Sequence, residues 1–175
     1  MAHKVVVLPG DGVGPEVAEQ GVRVLQAVSE RYDVDFEILE IPCGAQHYQE
    51  HGVEWPEGAF ETCRDESDAI LLGAIGWPGV NLPNGDIAGA GIVFGLRFGL
   101  DLYANVRPCK LYPNVRHKVH DAFKQVWDVG KVDMVILREN TEGSYAPIRG
   151  ALTRGGETEL AIDTRVITRL SLIHI

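Results

Sequence analysis

Apolar residues recur along the first hundred positions in short runs separated by helical patterns. Lys4 to Leu8 is apolar after its lysine and typical of a buried strand, Asp35 to Ile41 alternates, and Ala69 to Leu72 is a third short run. Amphipathic segments lie between these runs, and they are predicted as helices ending near Tyr32, at 45–51 and at 56–63. Strands that alternate with helices predict an α/β fold, with a mostly parallel sheet flanked by helices.

The pattern changes after about residue 104. Leu102 to Val106 alternates as a half-buried strand that Pro108 would close, and Val132 to Leu137 predicts a further buried strand. From Ile148 to Arg165 the sequence is polar with β-prone patches, which predicts a hairpin or arm within 145–164. We therefore expect a first part of a large α/β domain at 1–104 and the start of a smaller domain at 105–169. The apolar end, 170–175, has no helix cap and is expected to be a non-native tail.

Composition and charge narrow the possible partners. The chain has 175 residues, a net charge of -9 and a pI near 5.1, which argues against a surface for nucleic acid or anionic membranes. No apolar run approaches the roughly 20 residues of a membrane helix. Three widely spaced cysteines, Cys43, Cys63 and Cys109, suit reduced thiols in a cytoplasmic protein, with Cys109 expected to be buried, and the cysteine and histidine spacings predict no zinc site.

Three arginines stand at the ends of predicted elements in this acidic chain. Arg97 and Arg107 flank the alternating run, and Arg138 follows the strand at 132–137. Each alone could pair with a nearby acid, but three together favour an anion site, because guanidinium grips a carboxylate through two parallel hydrogen bonds. The predicted helix Gly91 to Gly99 places Val93 on the face of Arg97. That face suits a ligand with a carboxylate and an apolar branch, although a packed helix with an incidental arginine would look the same.

Two glycine-rich turns follow predicted strands, at Pro9 to Glu16 and at Gly73 to Gly76. Ligands of parallel sheets collect beyond the carboxyl ends of strands, where both turns fall. The first turn matches the G-x-G-x-x-G dinucleotide pattern poorly, since Gly10, Gly12 and Gly14 alternate. A turn that approaches a ligand and a purely structural turn both remain open.

Four motifs taken in order resemble one enzyme family. VVVLPGDGVGPEV, LLGAIG, LRFGLDLYANVRPCKLYP and VILRENTEGSY are similar to the β-decarboxylating dehydrogenases, the isopropylmalate, isocitrate and tartrate/malate group. The resemblance covers Lys4 to about Arg169 and implies the N-terminal half of such an enzyme. It implies NAD(P)-dependent oxidation of a 2-hydroxy di-acid, followed by loss of CO2 assisted by Mg2+ or Mn2+.

The same resemblance assigns roles to residues. Arg97, Arg107 and Arg138 would hold the substrate carboxylates, with Val93 and Phe94 beside them. Tyr145 would protonate the enolate left by decarboxylation. The turns containing Gly12, Val13, Gly73, Ala74 and Ile75 would lie near the nicotinamide of NAD. The family's metal-binding aspartates, catalytic lysine and adenosine loop would lie beyond this chain, and partner residues would complete the site in a homodimer, so the chain alone is expected to be inactive and to carry no metal ligands.

The substrate within the family is predicted from one helix. Isocitrate enzymes place serine and asparagine where this chain has Gly91 and Val93. An apolar lining would leave a third carboxylate unpaired but suits an isopropyl branch, which favours 3-isopropylmalate and hence leucine biosynthesis. The turn RENTEG is closer to the isocitrate and tartrate enzymes, so tartrate/malate and isocitrate remain alternatives. A non-catalytic α/β module that binds a di-acid, and a structural dimerisation fragment, are the alternatives outside this enzyme class.

Overall fold

The computed structural model describes residues 2–143, 146 and 148–169. The chain divides into two compact units, residues 1–100 and 101–175. The division falls four residues before the predicted boundary at 104/105. The assignment of the second unit to dimerisation stays a prediction, and the suspected tail at 170–175 lies outside the described residues.

The first unit alternates strands and helices around a parallel sheet. Its elements are β1 (His3–Leu8), α1 (Gly14–Tyr32), β2 (Phe36–Glu40), α2 (Ala45–His51), α3 (Ala59–Asp65), β3 (Ala69–Leu72) and α4 (Ala90–Gly99). The strand order is β2-β1-β3, and both neighbours of β1 run parallel to it. The predicted α/β class with a parallel sheet flanked by helices is confirmed.

The core of the first unit lies against the central strand. Val6 and Leu8 of β1 and Ile92 of α4 are fully buried, and Leu96, Cys43 and Cys63 join them. Because β1 has a neighbour on each edge and apolar side chains on each face, its residues from Val5 to Leu8 are all buried. The continuous apolar run in the sequence reflects this two-sided burial.

Helix α1 packs on the sheet through its small residues. Gly14 and Ala18 are buried, and a Cβ atom on Gly21 would lie 3.0 Å from a methyl carbon of Leu71. The apolar spacing of α1 groups Val17, Val24, Leu25 and Val28 on one face; Leu25 and Val28 are half-buried, but Val17 and Val24 are 59% and 63% exposed. The apolar face is therefore only partly buried, because close approach of helix and strand requires small side chains at the contact.

The second unit contains antiparallel pairs of strands. They are β4 (Ala104–Lys110) with β7 (Asp133–Glu139), β5 (His117–Val119) with β6 (Ala122–Lys124), and β8 (Arg149–Arg154) with β9 (Glu157–Asp163). The β8–β9 pair is the hairpin predicted between Ile148 and Arg165.

Two predictions for the second unit are wrong in detail. Strand β4 continues through Pro108 to Lys110 instead of closing at the proline, since a strand in a two-stranded ladder has a free edge that needs no N–H from this residue. Strand β7 was predicted as buried, yet Met134, Val135 and Ile136 are 52%, 58% and 46% exposed. An apolar run predicts a strand correctly here, but burial also requires a packing layer, and among the described residues β7 pairs with β4 alone.

Candidate active site

The β4–β7 ladder brings two of the predicted arginines onto one face. Asn105 is the register partner of Arg138, and Arg107 is the partner of Ile136. Since register partners and residues two apart project from the same face of a sheet, Arg107 and Arg138 are diagonal neighbours on that face. The ladder therefore places two arginines diagonally on one face, with Arg107 in the middle of β4 and Arg138 near the end of β7.

Two asparagines orient these arginines. The Nε of Arg107 donates to Oδ1 of Asn105 at 3.1 Å, and a terminal nitrogen of Arg138 donates to Oδ1 of Asn140 at 3.2 Å. The side chains of Asn105 and Asn140 are themselves linked, at 3.5 Å. Asn140 is 7% exposed, and its backbone N–H donates to the carbonyl of Tyr103 at 2.9 Å. Both asparagines were missed by sequence reasoning, although each stands two residues from an arginine in the quoted motifs.

The turn after β7 is organised by Glu139. Its carboxylate accepts the backbone N–H of Thr141 at 2.6 Å, the Thr141 hydroxyl, and the N–H of Glu142 at 3.0 Å. Desolvation raises the pKa of Glu139, but the hydrogen bonds from Thr141 and Glu142 outweigh it, so the pKa lies below its ordinary value. Glu142 in turn accepts the backbone N–H of Thr168 at 2.8 Å. An ionised Glu139 thus holds the segment that carries Asn140.

Helix α4 in the first unit carries the other predicted substrate residues. The guanidinium carbon of Arg97 lies 5.2 Å from the centre of the Phe94 ring, a cation–π contact along one turn of helix. Phe94 is 37% exposed and Val93 is half-buried. Arg97 and the pair Arg107–Arg138 belong to different units, so the predicted convergence of all three arginines stays a prediction.

The N-terminus of α4 is occupied by a side chain of the protein. A carboxylate oxygen of Glu54 accepts the backbone N–H of Gly89 and, at 3.3 Å, that of Gly91. A Cβ atom on Gly91 would lie 2.4 Å from the other oxygen of Glu54. The helix end therefore already holds a negative charge, and position 91 has no room for a larger residue unless Glu54 moves.

The two glycine turns pack against each other through their backbones. A Cβ atom on Gly14 or Gly73 would lie 2.2 Å or 2.0 Å from the carbonyl oxygen of Pro9, and one on Gly10 would lie 2.1 Å from that of Ala74. At Gly10, Gly14 and Gly73, close backbone packing is enough to explain why the residue is glycine. Gly12 differs, because a Cβ atom there would make only an ordinary contact, 3.6 Å from the Trp77 ring, although its φ of 60° favours glycine.

A buried carboxylate, Asp11, ties the first turn to its surroundings. Asp11 is 2% exposed and accepts three backbone N–H groups, from Ala45 at 2.8 Å, Gln46 at 2.9 Å and Gly76 at 2.8 Å. It fixes the start of α2 and the turn after β3 relative to the turn after β1. Sequence reasoning missed this role; the available signal was an acidic residue enclosed by glycines directly after a buried strand.

The exposed part of these turns is small. Val13 is 63% exposed and Ala74 is exposed, whereas Ile75 packs against the hydrophobic core. Of the residues predicted to contact a cofactor, Gly12, Val13 and Ala74 therefore offer accessible surface. Gly73 packs against the Pro9 backbone and Ile75 against the hydrophobic core. The cofactor contacts stay predictions.

A family model described as isocitrate/isopropylmalate dehydrogenase matches residues 4–175 of this sequence. The chain belongs to this family. The 3-isopropylmalate dehydrogenase of Thermobifida fusca is 39% identical over 172 residues, which cover 98% of this chain and 46% of that protein. The 3-isopropylmalate dehydrogenase of Corynebacterium glutamicum (strain R) is 40% identical over 166 residues, or 95% and 45% of the two chains. The chain spans about half the length of the curated relatives it matches.

Solved structures agree with this isocitrate/isopropylmalate dehydrogenase assignment. The crystal structure of isocitrate dehydrogenase from Methylococcus capsulatus superposes with a TM-score of 0.69 at 27% identity, covering 97% of this chain and 44% of that one. The apo β-decarboxylating dehydrogenase from Thermococcus kodakarensis gives a TM-score of 0.59 at 33% identity, covering 97% and 42%. The family resemblance carried by the four sequence motifs is therefore confirmed.

The three cysteines of this dehydrogenase family member differ in burial. Cys43 and Cys63 are buried, and desolvation raises the pKa of the Cys43 thiol to about 11, whereas Cys109 is half-buried.

Within 2–143, 146 and 148–169, no cluster of three or more histidine, cysteine or acidic side chains could hold a metal ion, and no helix is long and apolar enough to cross a membrane. Tyr145, the predicted proton donor, lies outside the described residues.

Proposed function

We propose that this chain supplies the substrate-binding arginines of a β-decarboxylating dehydrogenase that oxidises 3-isopropylmalate to 4-methyl-2-oxopentanoate and CO2 with NAD. The observation that carries the proposal is the placement of Arg107 and Arg138 on one face of the β4–β7 ladder, each hydrogen-bonded to an asparagine. Family membership supports the reaction type, and the names of the relatives at about 39% identity support the substrate.

Paired guanidinium groups suit the ionised groups of a malate-type substrate. The asparagine contact to Nε of Arg107 fixes the plane of its guanidinium, so less side-chain freedom is lost when a carboxylate binds. Two cations also offset the charge of a doubly ionised ligand at physiological pH. Arg97 on α4 is proposed as the third arginine of the same site.

The surroundings of α4 favour an isopropyl branch over a third carboxylate. Val93 and Phe94 offer apolar surface, and Glu54 already occupies the N–H groups of Gly89 and Gly91. A third substrate carboxylate at this helix end would meet the charge of Glu54 and find these two donors already used, which costs binding energy. An isopropyl group carries no such cost. Glu54 thus strengthens the choice of 3-isopropylmalate over isocitrate.

The proposed enzyme uses NAD and a divalent metal ion, Mg2+ or Mn2+. NAD would contact the accessible turn at Gly12, Val13 and Ala74, and it supplies the hydride acceptor. Mg2+ or Mn2+ is proposed from family membership alone, because the described residues contain no cluster of three ligands that fits it. Tyr145 is proposed to deliver the final proton. A cytoplasmic homodimer is proposed as the working assembly.

The test is a substrate comparison on the protein encoded by the complete gene. NAD and NADP reduction would be measured with 3-isopropylmalate, tartrate, malate and isocitrate in the presence of Mg2+ or Mn2+. We expect the highest kcat/KM with 3-isopropylmalate and NAD. Arg138→Lys should lower kcat/KM by roughly thirtyfold, since one charge-assisted hydrogen bond contributes about 2 kcal/mol.

Two controls make this test specific. Arg23→Lys changes an exposed arginine of α1 that pairs with Gln20, and it should leave kcat/KM unchanged. Tyr145→Phe should abolish most turnover with little change in substrate affinity, whereas a protein that only binds di-acids would show no turnover in any variant. Preference for isocitrate would contradict the argument from Glu54 and Val93.

A further inference from the structure

Helix α2 carries two histidines on one face. His47 and His51 are four residues apart, and α2 spans Ala45–His51. Their ring centroids lie 4.4 Å apart with the planes inclined by 46°. The prediction that the histidine spacing offers no metal-binding pair is wrong, because these two residues have the His-x-x-x-His spacing. Residues four apart on a helix are surface neighbours, so both imidazoles project to the same side.

Two neighbouring imidazoles form a chelate for a transition-metal ion. Histidines at i and i+4 on one helix face can bind the same zinc ion, and imidazole nitrogen suits zinc, nickel and copper. Mg2+ and Ca2+ instead prefer oxygen ligands. We propose that His47 and His51 form a chelating site for one Zn2+, Ni2+ or Cu2+ ion on the surface of α2. This site is separate from the proposed dehydrogenase function.

The helix backbone is held at both ends, which preorganises the two donors. At the start, Asp11 accepts the N–H groups of Ala45 and Gln46. At the end, the N–H of Gly52, with a φ of 75°, donates to the carbonyl of Tyr48 at 2.8 Å. A short helix would fray alone, but these contacts keep the backbones of the two histidines in fixed relation.

The surroundings of the pair are compatible with a bound cation. His51 is 56% exposed at its side chain, so water can complete the coordination, and a carboxylate oxygen of Glu50 lies 3.7 Å from its Nε2. No third histidine, cysteine or acidic residue among those described completes a protein-only metal cage. We therefore expect an open site with two protein ligands.

The experiment titrates the chain, made without a polyhistidine tag, with Ni2+ by calorimetry in excess Mg2+. We expect one site per chain that Mg2+ does not displace. His47→Gln and His51→Gln should each weaken Ni2+ binding by at least roughly tenfold to hundredfold. Removing a residue that only hydrogen-bonds to a metal ligand already costs that much, and these variants remove a ligand itself. His3→Gln removes an exposed histidine of β1 and should leave the affinity unchanged.

A positional control separates chelation from histidine content. The double variant Gln49→His with His51→Gln keeps the same number of histidines but spaces the pair two residues apart, on different faces of α2. It should bind Ni2+ as weakly as His51→Gln. Circular dichroism would verify that each variant keeps its helices. Full affinity in the double variant, or an equal loss in His3→Gln, would overturn the proposal.

Discussion

The two units of this chain achieve order in different ways. In residues 1–100 the strands are covered by helices, and Val6, Leu8 and Ile92 are fully buried. In residues 101–175 the strands form two-stranded antiparallel pairs, and Leu111 and Ala146 are the buried apolar residues among those described. The first unit is stabilised mainly by apolar burial, whereas the second relies on backbone hydrogen bonds between strand pairs.

The contrast extends to one carboxylate in each unit. Asp11 is 2% exposed and binds backbone N–H groups from segments that are distant in sequence. Glu139 is half-buried and binds groups only two and three residues away, in Thr141 and Glu142. The Asp11 carboxylate joins separate elements of the fold, and the Glu139 carboxylate shapes a local turn after the β4–β7 ladder. The difference suggests that substitutions in the first unit will affect global stability most.

The largest effect is expected where backbones touch in the first unit. Gly73→Ala would place a Cβ atom 2.0 Å from the Pro9 carbonyl oxygen, and neither backbone can retreat easily. We expect destabilisation of about 4 kcal/mol or more, since the strain falls on a packed backbone. Urea unfolding of the chain would measure it. Gly95→Ala, in α4 with no atom within 4 Å of the added Cβ, should instead be neutral or stabilising by up to about 1 kcal/mol. Equal effects of the two substitutions would contradict the packing argument.

A second test compares large-to-small changes in the two units. Ile92→Ala removes a fully buried side chain and should cost about 3 kcal/mol, from lost burial and the cavity left behind. Leu137→Ala removes a side chain that is 72% exposed on β7 and should change stability by less than about 0.5 kcal/mol. Both are read from denaturant midpoints. A large loss from Leu137→Ala would mean that this residue is covered in solution, and the contrast between the units would fail.

The smallest expected effect concerns acid and the turn after β7. Because hydrogen bonds lower the pKa of Glu139 in the folded chain, its contribution to stability is present above the pKa of an unfolded glutamate. That contribution disappears as the pH falls through the lower, folded pKa. Thr141→Val removes the hydroxyl donor and should raise the pKa of Glu139 towards its ordinary value. A carbon-detected NMR titration of the Glu139 carboxyl would show the shift; an unchanged titration would mean that the hydroxyl bond contributes nothing.

Sequence patterns predicted most elements of the first unit correctly. The strands at β1, β2 and β3 and the helices α1, α2 and α4 lie within a few residues of their expected positions. The helix expected from Pro56 begins later, at Ala59. These elements are predictable because apolar spacing and turn residues act locally. The apolar pattern predicted the packed face of α1 only in part, because the contacts of Gly14 and Ala18 leave no signal of large apolar residues.

The candidate site was predictable in its residue types but not in its supporting contacts. Arg107 and Arg138 were singled out by their position after alternating or apolar runs, and the structure places both on one sheet face. Asn105, Asn140 and Glu54 were not singled out, because their importance depends on hydrogen-bond partners that sequence spacing does not reveal. Short polar side chains acquire such roles only when distant segments meet.

The sequence by itself determined the α/β class, the family, and the chemical nature of the groups offered to a substrate, since these follow from local periodicity and from motifs in fixed order. The tertiary structure decided which glycines serve packing, where the Asp11 carboxylate joins three segments, and which of the apolar strands are buried. The physical reason is that burial and backbone contact depend on which segments pack together, and a pattern along one chain does not specify the surface that will cover it.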